Sequence, residues 1–418
     1  MDGRAASQTI TDRLPHLMGR GVRPVVLSAP TGIKDSRFPH YRVISPAPSG
    51  IRFELRHILK NTVRNGLLRS LLKAVTAILL FPFYVLEKIF IHLDSQWSWF
   101  LAAYKKGRTV IAEQNPELIY STAGPPSTHL AAYLLHRMSG LPWLAEMHDP
   151  LIHETDTPKW QNYYFKRWLE RTIAANASAV IYFTEKALAA ARQRTPIKRG
   201  YVVRPGALPP GVGTVHYVKG DAVHFGYFGS LAEDRNLATC IRVLHQVLAE
   251  NQAWRSRVRL DIYGGELDPV SRSALQSYPL AGVLVEHGRL EYDAVTGKSG
   301  RQQVIERMLC CDVLLLLHGQ GKSFAEYIPS KVYEYLLTPR PVLGLTDPGS
   351  EVGMILAENG QVVVSEDDEK RLKEEIAALI RQWHEQELPD RQNPHPYTVA
   401  GAVDSLLEIA DTVCRESD

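Results

Sequence analysis

The sequence predicts an α/β protein of two domains, each a parallel sheet covered by helices. Three observations carry this expectation. Short β-type runs alternate with helical patterns along most of the chain, the order expected of strands joined by crossover helices. CDVLLLLHG (311–319) is a continuous apolar run, as expected of a strand buried on both faces. A loop rich in Gly and Pro, ALPPGVGTV (207–215), separates two such alternations.

In the first half a helix is expected over 8–20 and a strand at VRPVVLS (22–28). A basic and apolar helical stretch follows at 52–92, then a helix at 96–114. Strands are expected at 117–122, 141–147, 178–184 and 201–206, with helices at 127–139, 158–174 and 185–193 between them. The second half repeats the alternation. Strands are expected at 222–230, 257–264, 281–288, 311–319, 340–346 and 360–365. Helices are expected at 235–250, 268–277, 301–309, 330–337, 350–357 and 368–386. The domains thus run over 1–206 and 216–394, and a last helix, in 395–418, is expected to cross back to the first domain. Such sheets bind ligands at the carboxyl ends of their strands, and two facing each other form a cleft.

The 418 residues are 45% apolar and 22% charged, an ordinary soluble composition. A net charge of +3 gives no electrostatic footprint for nucleic acid. The cysteines, Cys240, Cys310, Cys311 and Cys414, lack CxxC spacing and read as reduced thiols of a cytoplasmic protein. The first thirty residues lack the apolar core of an export signal.

AVTAILLFPFYVL (74–86) is apolar and uncharged, but as a run it is too short to span a bilayer. Arg52, Arg56, Lys60, Arg64, Arg69 and Lys73 precede it at intervals of four or five residues, along a slowly drifting helical face. Two readings stay open. One is a basic amphipathic helix with an apolar continuation, resting on the inner face of an anionic membrane. The other is a solvated face on a helical hairpin that packs into the domain.

Several motifs fail on spacing. GQGKS (319–323) and TGKSG (296–300) would need a glycine where Leu316 and Tyr292 stand, so neither is a P-loop. No G-x-G-x-x-G follows a strand. HDPLIHE (148–154) matches no zinc spacing, so no metal is assigned. The segment follows a strand, which places His148 and Asp149 at its carboxyl end. A turn shaped by Pro150 explains Asp149 equally well.

The second half resembles the donor-binding domain of retaining glycosyltransferases of the family-four type. FGYFGSLAEDR (225–235), LDIYGGE (260–266) and FAEYIPSKVYEYLLTPRPVLGL (324–345) carry the likeness, and IYSTAGPPSTHLAAYLLHRMSGLPWLAEMHDP (119–150) resembles a branch of that family. The likeness covers roughly 118–184 and 200–385. It implies the GT-B fold, two Rossmann-like parallel-sheet domains facing a cleft. The family's first strand and its glycine-rich loop have no counterpart ahead of the helix at 8–20.

The resemblance also implies roles. Glu334 would hold the ribose hydroxyls of a nucleotide-sugar donor, and Glu326 hydroxyls of the transferred sugar. Gly229 and Arg235 would lie at the diphosphate. Ser230 stands where many relatives carry arginine, which leaves the site one charge short. Lys331 can supply it, with Ser330 capping a helix whose open N–H groups favour anions. His148 would stand near the reacting centre, and Asp149 would shape it. The activity implied is metal-independent transfer from a nucleotide-diphosphate sugar, a co-substrate and not a cofactor, to a polysaccharide or lipid-linked glycan. Two alternatives share the pattern: an inactive GT-B-like scaffold or sugar-nucleotide sensor, and a nucleotide-sugar epimerase.

Overall fold

The structure is a computed structural model. It describes residues 5–416 apart from 64, 154–155, 157–159, 210–216, 320, 322–323, 387 and 389–396. The chain divides into two compact units, Met1–Pro205 with Val399–Asp418, and Gly206–Thr398.

Unit 2 is a six-stranded, wholly parallel sheet. Its strands are β7 (Val223–Gly229), β8 (Val258–Gly264), β9 (Leu284–Gly288), β10 (Val313–Leu317), β11 (Val342–Leu345) and β12 (Val362–Val364), in the order β12-β11-β10-β7-β8-β9. The chain starts at the centre, winds out to β9, and returns to the other side of β7 for β10. The order reverses between β7 and β10, where an open α/β sheet has its ligand crevice. The apolar run of β10 is buried along its whole length. Phe225, Tyr227, Leu260 and Ile262 face a core closed by α8 (Ala238–Glu250) and α13 (Glu369–Glu385). Phe228, Tyr263, Leu314 and Leu316 face a second core. It is closed by α10 (Gly300–Cys310), α11 (Lys331–Leu336) and α12 (Glu351–Glu358). The expected strands and helices of this half are all present.

Unit 1 departs from a single sheet. Strands β3 (Ile119–Ala123), β4 (Trp143–Met147), β5 (Ala179–Tyr182) and β6 (Gly200–Val202) form a parallel sheet in that order. β1 (Val26–Ser28) pairs instead with β2 (His40–Arg42), a strand the sequence reading missed. Three residues, two of them His40 and Arg42, leave too short a run to show a period. Helix α1 (Ala5–Gly19) precedes β1. The last helix, α14 (Val399–Arg415), belongs to unit 1, where Leu406, Ile409 and Val413 pack on Leu144 and Ile181.

The stretch at 52–92 is two helices, α2 (Pro48–Thr62) and α3 (Gly66–Phe90), so one continuous basic face does not form. The chain leaves the helical region at Val63 and Asn65, and the Asn65 carboxamide caps α3 by accepting from the N–H groups of Leu67 and Leu68. Arg52, Arg56 and Lys60 lie on α2, and Arg69 and Lys73 on α3; Arg64 lies outside the described residues. The two helices pack together, with the Arg52 guanidinium 5.2 Å from the centre of the Tyr84 ring. Glu87 fixes the base of the pair. Its carboxylate accepts from Ser49 N (2.8 Å), Ser49 Oγ (2.5 Å) and Trp97 Nε1 (2.8 Å). Glu87 is also the one buried residue described in α3, while Leu71, Ile78, Leu79, Phe81, Phe83 and Phe90 stand exposed. The uncharged run is short, yet the helix continues through Arg69, Lys73 and Lys88 to 25 residues. By length and composition alone, α3 is long and apolar enough to cross a membrane.

Candidate functional site

In unit 2, β7 and β8 end side by side in Gly229 and Gly264, with φ of +141° and +130°. Both positions require glycine. A Cβ on Gly264 would collide with the carbonyl oxygen of Gly229, and one on Gly229 with Nζ of Lys331. This close approach brings the first residue of α11 against the end of β7. Lys331 Nζ donates to the carbonyl oxygen of Phe228 and stands 4.6 Å from the centre of the Tyr227 ring. Burial, and then the like charge of Arg235, push the Lys331 ammonium down to about 8, against the pull of Glu334.

Arg235 folds back over the turn after β7. Its Nη2 donates to the carbonyl oxygen of Ser230 (3.0 Å) and to Ser230 Oγ (3.4 Å). Its Nε is buried without a hydrogen-bond partner among the described residues. Gly229, Ser230, Arg235 and Lys331 therefore meet at the carboxyl end of β7, as expected. Two cations share that place, and the Glu334 carboxylate attracts one of them, Lys331.

A cavity of about 630 Å³ opens beside them, lined by Gly229, Tyr263, Arg289, Arg301, Lys331 and Glu334, among others. Glu334 Oε1 lies 2.9 Å from Arg301 Nη1. Phe228 and Tyr263 line the cavity and stack on each other at 4.7 Å, and His287, outside the lining, stacks on Tyr263 at 4.3 Å. His287 is fixed by Asp261, whose carboxylate hydrogen-bonds His287 Nε2 and His224 Nδ1, each at 2.7 Å. Carboxylate, cations and aromatic faces thus converge at the switch point of the sheet. Arg301 and Tyr263 were not singled out from the sequence. Their signal is position, Arg301 in the first turn of a helix and Tyr263 at the end of a strand.

Two expectations are corrected. Ser330 does not cap α11: its backbone is itself helical, with φ −55° and ψ −28°, and its side chain makes no cap bond. An N-cap needs extended backbone for its side chain to reach the following N–H groups. The helix start is not open either. Val332 N already donates to Pro329 O and Tyr333 N to Ser330 O, in tight turns. Positive charge here comes from side chains. Glu326 lies in a single 3-10 turn, Phe324–Glu326, where it is buried and does not line the cavity beside Glu334.

One of the failed motifs has a structural role. Ser299 of TGKSG forms a capping box with Gln302 at the start of α10. Of GQGKS, residues 320, 322 and 323 lie outside the described residues.

In unit 1, His148 follows β4 and hydrogen-bonds Thr122 Oγ1 through Nε2 at 2.7 Å. Its ring stacks on Phe183 at 4.7 Å. Beneath it is a buried network the sequence reading missed. Glu146, with no exposed surface, accepts 2.6 Å hydrogen bonds from Arg13 Nη1, Tyr120 OH and Thr122 Oγ1. Burial alone would raise the Glu146 carboxyl. The Arg13 guanidinium and the surrounding donors more than offset it and hold the group well below the usual range. A lone glutamate in the apolar strand LPWLAEM was the available signal, since a buried charge needs a partner. Asp149, the next residue after His148, is exposed. Among the described residues no group of three or more His, Cys, Asp or Glu side chains could hold a metal ion. The four cysteines are free.

Residues 15–206 match a family described as "Glycosyl transferase 4-like domain". A comparison with curated proteins returns no match. Among solved structures, the chain is similar to an alpha,alpha-trehalose-phosphate synthase (UDP-forming) from Burkholderia vietnamiensis. The TM-score is 0.50 at 12% identity, over 77% of this chain and 78% of that one. The corresponding enzyme from Burkholderia multivorans gives 0.50 and 12%, over 78% of each chain. TarM gives 0.48 at 10% identity, over 76% of this chain and 55% of TarM, so the chain spans about half the length of TarM. The chain thus has the GT-B fold, and its residues 15–206 resemble glycosyltransferases of the family-four type.

Proposed function

We propose that the protein is a retaining glycosyltransferase that moves a sugar from a nucleotide-diphosphate donor onto a polysaccharide or lipid-linked glycan at the cytoplasmic face of a membrane. The observation that carries the donor half is Lys331 in the cavity with the Glu334 carboxylate, with Arg235, which does not line that cavity, at the turn after β7. A half-buried ammonium that donates to a carbonyl and lies over a ring, next to a guanidinium, favours an incoming anion. A nucleoside diphosphate brings two such anions and a ribose diol, and Glu334 can accept from both diol hydroxyls. The leaving diphosphate gains charge as the glycosidic bond breaks, and fixed cations aimed at it stabilise that change. Transfer then proceeds on one face of the sugar through an oxocarbenium-like state, with the departing phosphate helping to deprotonate the acceptor. Arg235 and Lys331 supply the charge that a metal supplies elsewhere. On this reading His148, with Asp149 beside it, faces the acceptor, and Glu326 reaches the sugar after a local rearrangement.

Glu334→Ala tests the donor site. Loss of a charge-assisted contact costs about 1.5–3 kcal/mol, so the dissociation constant for the preferred nucleotide should rise about ten- to a hundredfold by calorimetry. Unchanged affinity would remove Glu334 from the donor site.

The membrane half rests on α3, whose apolar side chains stand in solvent while Arg69 and Lys73 flank them. Vesicles containing anionic lipid should sediment the protein. Replacing Leu79 and Phe83 by Glu should weaken that binding at least about tenfold, since each apolar side chain contributes about 1.5–3 kcal/mol when buried. A wild-type protein left in the supernatant would refute this part.

A further inference from the structure

His148 ends a chain of hydrogen bonds whose protons can be counted. Glu146 Oε1 accepts from Arg13 Nη1, and Oε2 accepts from Tyr120 OH and Thr122 Oγ1, each at 2.6 Å. Thr122 Oγ1 lies 2.7 Å from His148 Nε2, and Nε2 lies 3.4 Å from Glu146 Oε2. All of these residues belong to unit 1. We infer that Arg13, Glu146 and Thr122 are positioning residues that fix His148 with its proton on Nε2, so that Nδ1 is presented as a hydrogen-bond acceptor to a hydroxyl of a bound sugar.

The count starts at Arg13, which can only donate and is always charged. Arg13 and Glu146 are both buried, so the guanidinium keeps the carboxyl beside it ionised, with no proton of its own to give. Arg13 Nη1 also donates to Tyr120 OH (3.0 Å), which sends the Tyr120 proton on to Glu146. Thr122 has one hydroxyl proton to place. Aimed at His148, it would leave two bare oxygens, Thr122 Oγ1 and Glu146 Oε2, facing each other at 2.6 Å. It therefore goes to Glu146, and Oγ1 turns a lone pair to the imidazole. Nε2 is then the donor across the 2.7 Å contact. Its distance to Glu146 Oε2 agrees, since a proton on Nε2 is drawn to that charge and a lone pair there is repelled.

The ring is clamped as well as bonded. Phe183 stacks on it at 4.7 Å and 24°, and the Arg13 guanidinium lies 5.8 Å from the centre of the same Phe183 ring. Both ends of the relay thus bear on one side chain, which keeps the imidazole from turning over. With Nε2 committed to Thr122, Nδ1 is the nitrogen left for a ligand. His148 follows β4 at its carboxyl end, the side on which such sheets bind ligands. A hydrogen bond made by one imidazole nitrogen sets the state of the other, and outer partners that do this hold a reactive histidine in its working form. The state of the ring follows from unit 1 alone, whereas its use on a sugar hydroxyl rests on the transferase reading.

The test is nitrogen NMR on the full chain labelled with ¹⁵N-histidine, at a pH well above the ordinary imidazole range so that the ring is neutral. His148→Gln assigns the signals. Wild type should show a pyrrole-type Nε2 and a pyridine-type Nδ1. Thr122→Val, which removes the hydroxyl and leaves Glu146 with Arg13 and Tyr120, should show the two states averaged, and Thr122→Ser should restore the wild-type pattern. The use of the ring is read from nucleoside diphosphate release with the glucose esters of UDP, GDP, ADP and TDP as donors. There kcat should fall about ten- to a hundredfold in Thr122→Val, with KM for the donor unchanged, and recover in Thr122→Ser. A proton on Nδ1 in the wild type, alone or together with one on Nε2, would overturn the inference, as would a Thr122→Val spectrum identical to that of wild type. Wild-type kcat in a Thr122→Val protein with an altered ring would overturn the role given to Nδ1. A wild type that turns over none of the donors would count against the transferase reading and leave the assignment of the ring standing.

Discussion

Replacing Lys331 by methionine should lower kcat about 10²–10³-fold while the fold survives intact. The magnitude is that of removing one preorganised donor from developing negative charge. Methionine keeps the volume that packs against Gly229 and Tyr227, and it removes a charge that burial already disfavours. Tm should hold or rise, so activity and stability move in opposite directions, as at a site where strain serves function. Donor binding carries a matching pH signature. The free ammonium titrates at about 8, and an anion bound to it raises that value. Affinity should be flat below pH 8. It should fall above it by up to about tenfold per unit, and Lys331→Met should abolish the slope. A variant with wild-type kcat would remove Lys331 from the chemistry.

The second large effect is on folding. Glu146→Ala leaves the Arg13 guanidinium buried beside no carboxylate, and breaking such a pair costs about 3–5 kcal/mol. Urea unfolding should show a large loss confined to the transition of unit 1. The double change Arg13→Met with Glu146→Leu should recover most of it, because well-packed apolar residues replace buried pairs at little cost. The sign of the pH dependence follows from the depressed carboxyl. Its contribution is fully present above about 4.5, its ordinary value, and is lost only as pH falls through the lowered folded value. If Glu146→Ala unfolds like the wild type, the network is not what holds α1 to the sheet.

Much of this was legible in the sequence because periodicity and turn residues report strongly on buried parallel sheets. The apolar run at β10, the glycines closing β7 and β8, and the Gly/Pro loop near the unit boundary each state a local constraint that survives into the fold. What stayed hidden depends on partners distant in sequence. β2 is three residues long, and its pairing with β1 leaves no period. Arg13 and Glu146 are 133 residues apart, and only folding shows that they meet. The helix start at Lys331 misled for a local reason. Ser330 is a good capping residue type, but it sits inside the tight turn closed by Val332 N and Pro329 O, with its backbone in the helical region, where the side chain cannot cap. The break at Asn65 was overlooked because basic spacing suggested one helix, while the chain leaves α2 at Val63 and Asn65 caps α3.

The most direct test of the donor site is calorimetric titration of UDP, GDP, ADP and TDP into the wild-type protein. Selective binding of one nucleotide, weakening above pH 8, is the expected result, and it identifies the donor base. Failure of every nucleotide to bind at millimolar concentration would contradict the transferase reading and leave a GT-B scaffold without a donor site.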